Sequence, residues 1–253
     1  MIDIGGIARR TLSQDPFPWA FIGDLFSKGD AEELAASFPR DHFKTVAGYD
    51  GEKGYEYEAR SLIGMGKRAP SHAGSLSPAW RALAEDLLSP DYRSAIARLT
   101  GRDELARVPI EVNVFHYGPA AWLGPHVDLK DKLATHILYF NRVWDRNDGG
   151  CLTILRSSDP ADVAAEIEPR VGGSSVVVRS ERSWHAVSRV ASGCAESRRS
   201  MTITFYRPGS VSTLWPPGDR TRLHDYPEGD RGGTPEGSRR AWAGIRKFLR
   251  LGD

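Results

Sequence analysis

Six short segments between residues 108 and 207 restrict this chain more than any other feature. VPIEVNVFHY, ATHILYF, GGCLTIL, GGSSVVVRS, HAVSRV and RRSMTITFY are alternating or β-branched, and Gly, Pro, Asp and Asn punctuate the stretches between them. No helical period interrupts this tract. That argues against a parallel α/β sheet and predicts a double-sheet jelly roll or barrel.

The flanks read differently. FPWAFIGDLF is aromatic and β-branched, Ser27-Lys28-Gly29-Asp30 follows it, and AEELAASF sets Leu34 and Phe38 four apart, which predicts strand, cap and helix. Residues 45–75 are rich in Gly, Tyr and charge with weak periodicity, and read as a long loop with short strands of the kind that often covers a site. Trp80, Leu83, Leu87 and Leu88 recur at helical spacing, and Tyr92, Ile96 and Leu99 resume it after Pro90, so two helices are expected. Past the β tract, residues 207–237 look like a Pro/Gly/Asp-rich wrap. The final stretch puts Trp242, Ile245 and Leu249 opposite Arg239, Arg246, Lys247 and Arg250, a basic amphipathic helix expected to dock on its own domain. The organisation read is 1–107 as a strand and helix region, 108–207 as the β core and 208–253 as wrap and helix, one structural domain in all.

Bulk properties remove several functions. Lys and Arg number 34 against 33 Asp and Glu, so no charge field recruits nucleic acid or an anionic membrane. Cys151 and Cys194 are too few for a disulfide framework or a four-thiolate zinc site. The longest aliphatic run, Val176 to Val178, is far too short to span a bilayer, and the first residues lack an apolar signal core, so a soluble cytoplasmic protein is expected.

The chemistry is concentrated in a few residues. His126-Val127-Asp128 follows the strand EVNVFHY and the turn GPAAWLGP, which would aim both side chains into a barrel mouth. A third ligand is then expected on a later antiparallel strand, and Ser183-Trp184-His185-Ala186-Val187 begins one. Two neutral imidazoles and one carboxylate make the facial triad of a mononuclear non-heme Fe(II) site, with three positions left open. His42, His72 and His224 read as surface residues. Alternation puts Asn113, Phe115 and Tyr117 on one face and His116 on the other, outside the barrel, and makes His136 a candidate pocket wall beside Leu138 and Phe140.

In order, the chain then shows Tyr117 ending a strand, the HVD turn, Tyr139-Phe140-Asn141, Gly149-Gly150-x-Leu152, a Pro169-x-x-Gly172 turn, His185-x-Val187 and the closing strand RRSMTITFY. Over about residues 110–207 this resembles the Fe(II)- and 2-oxoglutarate-dependent oxygenases, in the branch that looks like prolyl 4-hydroxylase. The resemblance implies a mainly β fold, a distorted double-stranded β-helix of the jelly-roll, cupin-like kind, with N-terminal helices against its major sheet. It implies Fe(II), 2-oxoglutarate and O2, with 2-oxoglutarate leaving as succinate and CO2 while a substrate C–H bond is hydroxylated. Arg198 would anchor the far carboxylate of 2-oxoglutarate, helped by Ser200, Tyr117 and Asn113, and Arg199 would point outward. Leu138 stands where relatives often carry a second tyrosine, which would redistribute the cosubstrate contacts. Asp128, where halogenating relatives have Gly or Ala, makes hydroxylation the default.

For substrate, Trp122, Leu123, Arg182 and Trp184 near the metal ligands, with Tyr55, Tyr57, Arg60 and His136, suit a small anionic or zwitterionic molecule. An amino acid or amino-acid-derived metabolite, free or carrier-tethered, is the expected partner, and no nucleic acid or membrane. The rival reading is a peptidyl or protein hydroxylase. A reading from another class is a non-catalytic β-barrel binding module that has kept parts of the pattern.

Overall fold

The computed structural model describes residues 1–49 and 54–226. Over them the chain runs through α1 (Ile4–Arg9), β1 (Trp19–Ile22), α2 (Lys28–Ala36), β2 (Lys44–Tyr49), β3 (Gly54–Ile63), α3 (Pro78–Leu88) and α4 (Pro90–Thr100). The β tract follows as β4 (Ile110–Tyr117), β5 (Trp122–His126), β6 (Lys132–Tyr139), β7 (Leu152–Leu155), β8 (Val163–Ile167), β9 (Ser174–Val178), β10 (His185–Val187) and β11 (Arg198–Tyr206). Among the described residues these strands pair in the order β1-β9-β6-β11-β4-β3-β5-β10-β7-β8, with β2 also on β3. Every named pairing is antiparallel, and the sheet curls so that β4 and β11 face β5 and β10. This is the mainly β, double-stranded β-helix class expected from the sequence.

Local chemistry explains the helices. The Ser77 hydroxyl accepts from the Trp80 amide ahead of Pro78, and the Ser89 hydroxyl accepts from the Tyr92 amide ahead of Pro90. Ser-Pro at 89–90 therefore ends one helix and starts the next. Gly101, at φ +65°, closes α4 in the left-handed conformation that glycine adopts without strain.

The helices cover the outer face of the larger sheet half. Trp80, Leu83, Leu87, Tyr92 and Ile96 share one buried cluster with Val112, Val114, Leu138, Phe140, Met201, Ile203 and Phe205. Trp80 lies 4.8 Å from Phe140 between ring centroids and donates its indole N–H to the Leu34 carbonyl at 3.1 Å. The opposite face of the same strands, carrying Asn113, Phe115, Tyr117, Ile137, Ser200, Thr202 and Thr204, lines a cavity.

Two parts of the chain depart from expectation. Residues 45–75 are more regular than a loop: β2 and β3 form a hairpin, and β3 is ten residues long and sits inside the sheet. Both of its faces are covered, so buried Glu56, Glu58 and Arg60 alternate with Tyr55, Tyr57 and Ala59 and the polar-out signal of a half-exposed strand is missing. The turn read at GPAAWLGP contains β5, whose Gly124 and Pro125 hid the strand. The helix expected around residues 239–250 lies outside the described residues. No helix among the described residues is long and apolar enough to cross a membrane.

Glu58 makes stability pH-dependent. It faces away from the cavity, is 5% exposed, accepts from the Thr45 hydroxyl at 3.0 Å and lies 3.3 Å from His224 Nε2. Burial, opposed by hydrogen bonds from Thr45 and Tyr226 and reinforced by Glu56, raises its carboxyl to about 7. Since the folded value lies above the unfolded one, folding favours the neutral acid, and that stabilisation is present at low pH and lost as pH rises through about 7. The shift corresponds to something on the order of 3 kcal/mol. Between pH 5 and 8 the melting temperature of the parent should fall by about 6 to 10 °C more than that of Glu58→Gln. Parallel melting profiles would mean that Glu58 is ionised throughout.

Candidate active site

Strand pairing builds the centre of the cavity. β5 and β10 run antiparallel with His126 directly opposite His185, and the two rings lie 4.3 Å apart between centroids. Asp128 follows two residues after β5. One ligand-type atom from each of the three buried residues lies within 4.8 Å of the others.

The surroundings set the chemical state of each group. His126 Nδ1 lies 2.9 Å from the Gly124 carbonyl and His185 Nδ1 lies 2.9 Å from the Ser183 carbonyl. A carbonyl can only accept, so each Nδ1 carries the proton and each Nε2 carries the lone pair that a metal takes. Burial would raise the Asp128 carboxyl, but the Lys132 ammonium beside it holds it well below the usual carboxylate range. Lys132 Nζ lies 2.7 Å from Oδ1, and the Thr135 hydroxyl donates to Oδ2 at 3.0 Å. An ionised, buried carboxylate between two neutral imidazoles, with a cation already drawn to it, fits a divalent ion such as Fe(II).

Arg198 stands on the wall of the same cavity at the start of β11, opposite Tyr117 on β4. It is 2% exposed, donates through Nε to the Gly150 carbonyl at 2.6 Å and through Nη1 to the Ser200 hydroxyl, and lies 4.9 Å from the Tyr117 ring centroid. Among the described residues no carboxylate lies within 4 Å of it. A guanidinium buried without an anion is costly, so this wall is built to receive one from a bound molecule. Arg199 faces the other way, 5.6 Å from the Phe38 ring centroid and 3.6 Å from Glu196.

The remaining wall is mixed. Thr135, Thr202, Thr204 and Tyr206 give hydroxyls on one side, while Val46, Tyr57, Phe115, Leu123 and Leu214 give an apolar side, around a volume of about 380 Å³. A larger groove of about 920 Å³ between α2, β1 and β8 carries neither the His–Asp–His cluster nor Arg198.

The structure thus brings His126, Asp128, His185, Arg198, Ser200, Tyr117 and Asn113 into one cavity. Asn113 is already partly committed, its Oδ1 accepting from the Trp215 indole N–H at 2.7 Å. Of the substrate candidates, Tyr55, Tyr57 and Leu123 stand on the cavity wall, whereas His136, Arg60, Trp122, Arg182 and Trp184 do not. His136 faces the helices, fully buried, with Nδ1 2.9 Å from the Tyr92 hydroxyl, and burial lowers it to about 3, so it is neutral. The residues of β6 on the cavity wall are Lys132, Thr135 and Ile137. Arg60 lies on the outer face of β3, tied to Asp41 at 3.2 Å and to the Ser75 hydroxyl. Trp122 lies under the Arg189 guanidinium, 3.7 Å from it, and its strand position is opposite Glu56. Arg182 is exposed in the turn before β10, and Trp184 is half-buried beside β7.

Two residues escaped the sequence reading, Lys132 and Thr135, which hold Asp128. Beside Leu138, which faces the helices, stands a tyrosine that the sequence reading gave no role at the site. One position further along, Tyr139 turns inward, its ring 5.7 Å from the Arg198 guanidinium and its hydroxyl 2.9 Å from that of Ser175. The signal was available, because Ile137 and Tyr139 share a face while Leu138 takes the opposite one.

Comparison with known proteins agrees with this geometry. Residues 112–206 match the 2OG-Fe(II) oxygenase superfamily. A prolyl-4-hydroxylase from Pseudomonas putida is similar in structure, at TM-score 0.52 and 20% identity, over 75% of this chain and 92% of that one. A Trichoplax adhaerens prolyl hydroxylase, solved with a hypoxia inducible factor peptide fragment, gives TM-score 0.52 and 17% identity over 74% and 83%. A 2OG-Fe(II) oxygenase family oxidoreductase from Burkholderia pseudomallei gives 0.50 and 17% over 74% and 84%. No curated protein matches the chain in sequence.

Proposed function

We propose that the protein, whose residues 112–206 match the 2OG-Fe(II) oxygenase superfamily, hydroxylates an unactivated C–H bond of a small molecule, an amino acid or a metabolite derived from one. The observation that carries the reading is Arg198, a buried cation with no carboxylate beside it among the described residues, on the wall that also holds His126, Asp128 and His185.

His126 and His185 through Nε2, with Asp128 through a carboxylate oxygen, would hold the iron. When bound, Fe(II) with 2-oxoglutarate and O2 supplies the oxidising power for hydroxylation, and 2-oxoglutarate leaves as succinate and CO2. Arg198 presents a planar fork to the far carboxylate of 2-oxoglutarate, and Ser200 lies beside it to add a hydroxyl. Burial, partly offset by Arg198, pushes the Tyr117 phenol up to about 12, so it keeps its proton at neutral pH and acts as a donor. Phe115, Leu152 and Val187 on the same wall keep water away from these groups.

A volume of about 380 Å³ is near the lower end for small-molecule sites, and cosubstrate occupies part of it. What remains suits a molecule of amino-acid size, free or carrier-tethered. Screening amino acids and metabolites for stimulated succinate release tests this, and turnover of a free metabolite is the expected result. If no small molecule stimulates release while a partner protein acquires a residue one oxygen atom heavier, the peptidyl reading replaces it. Protein that neither retains iron nor couples 2-oxoglutarate loss to O2 would be a binding module instead.

A further inference from the structure

Residues 211–226 follow the family-matched segment, yet Thr213 and Leu214 stand on the cavity wall. We propose that this strap is the substrate-side wall of the site, with Trp215 as a positioning residue and Leu214 as the residue that limits the apolar end of the substrate. The proposal rests on the oxygenase reading of the cavity.

Three attachments seat the strap, made by Lys44 at the start of β2, by Phe43 just before it and by His116 on β4. The first is Lys44 on β2, a buried lysine whose ammonium hydrogen-bonds the Leu214 carbonyl, pairs with Asp219 at 2.5 Å and sits 4.2 Å from the Trp215 ring centroid. A buried ammonium is costly unless it is partnered, and all of these partners belong to the strap. The second is a two-way backbone bridge, Phe43 donating to the His224 carbonyl at 2.9 Å and His224 donating to the Phe43 carbonyl at 2.8 Å. The third is Tyr226, whose ring stacks 4.2 Å from that of His116 and meets Phe43 edge-on.

Trp215 converts this seating into site geometry. Its backbone amide donates to the Ser212 hydroxyl at 2.8 Å and its indole N–H donates to Asn113 Oδ1 at 2.7 Å. The indole bond ties the Asn113 side chain on the cavity wall to the strap, so the orientation of that amide depends on the strap being seated. Leu214 and Trp215 pack with Val46, Tyr57 and Leu123 against the cluster containing Phe115 and Tyr117. The strap therefore closes an apolar box facing the Thr135, Thr202 and Thr204 hydroxyls. Such a wall takes a small molecule with one polar side and one aliphatic or aromatic end.

Two measurements on the full chain test this. In amide hydrogen exchange, Lys44→Met, with Asp219→Asn as a second variant, should speed exchange of residues 212–224 by about tenfold while β4 and β11 stay unchanged. Strap exchange equal to that of the parent in both variants overturns the seating. With Fe(II), 2-oxoglutarate and a series of straight-chain 2-amino acids, Leu214→Ala should lower KM for the longer members by about tenfold relative to the shorter ones. An identical length preference in parent and variant overturns the wall. If no amino acid stimulates the parent, the amino-acid reading falls and the strap is judged by 2-oxoglutarate binding to the Mn(II)-loaded protein. Parent-like affinity in Lys44→Met, together with faster strap exchange, supports a substrate-side wall. Affinity lost in step with exchange assigns the strap to the cosubstrate and overturns it.

Discussion

Asp128→Ala, His126→Ala and His185→Ala should each abolish substrate oxidation and weaken Fe(II) binding by more than about a hundredfold. Loss of a group that merely orients a metal ligand costs about 10- to 100-fold in affinity, and loss of the ligand itself removes more. The three residues are buried and their ligand-type atoms already lie within 4.8 Å of one another, so no rearrangement is needed to use them together. Under anaerobic conditions Fe(II) with 2-oxoglutarate should give the parent a weak visible charge-transfer band that His185→Ala lacks, and circular dichroism separates loss of metal from loss of fold. A band in His185→Ala like that of the parent would sink the assignment. Asp128→Gly gives a narrower check, since it vacates one position and leaves both imidazoles in place. Chloride should perturb the Fe(II) spectrum of this variant and leave the parent unchanged. If both respond equally, Asp128 is not a ligand.

What could be read from the sequence follows from where each signal was generated. His126, Asp128 and His185 were legible because a strand end fixes side-chain direction, and β5 and β10 lie side by side as antiparallel strand order requires. Arg198 was legible by the same alternation, which puts it inside and Arg199 against Phe38. His136 and Arg60 were misplaced for one shared reason. The strands that carry them are covered on both faces, by the cavity on one side and by helices or loops on the other, so buried and polar no longer map onto in and out. Without that mapping the parity of a strand is ambiguous, and a one-residue error exchanges Leu138 for Tyr139. Lys44, Trp215 and His224 were illegible for a different reason. Each of these contacts joins residues more than a hundred positions apart and has one end in the strap, a segment without a period, and neither pattern nor propensity reports such contacts.

Arg198→Ala should raise the 2-oxoglutarate requirement by about 30-fold to several thousandfold, because a charge-assisted bidentate contact in a dry pocket is worth roughly 2 to 5 kcal/mol. The loss has two parts. The carboxylate loses its partner, and the anion must then sit near Tyr117 and Tyr139, which can donate hydrogen bonds but carry no charge. Arg198→Lys separates them, since it keeps the charge and gives up the fork, and an intermediate loss is expected. The Gly150 carbonyl adds to the lysine's difficulty, because Arg198 spends its Nε on that carbonyl and still keeps donors for the ligand. Arg199→Ala should leave the requirement unchanged, as its side chain packs over Phe38 on the helix side of the sheet. Isothermal titration of 2-oxoglutarate into the Mn(II)-loaded variants measures all three without turnover. Effects reversed between Arg198 and Arg199 would put the register of β11 off by one residue, which the pairing of Arg198 with Tyr117 contradicts. Equal and negligible effects would leave a buried guanidinium with no anion to receive, and the reading of this cavity as an oxygenase site would lose its main support.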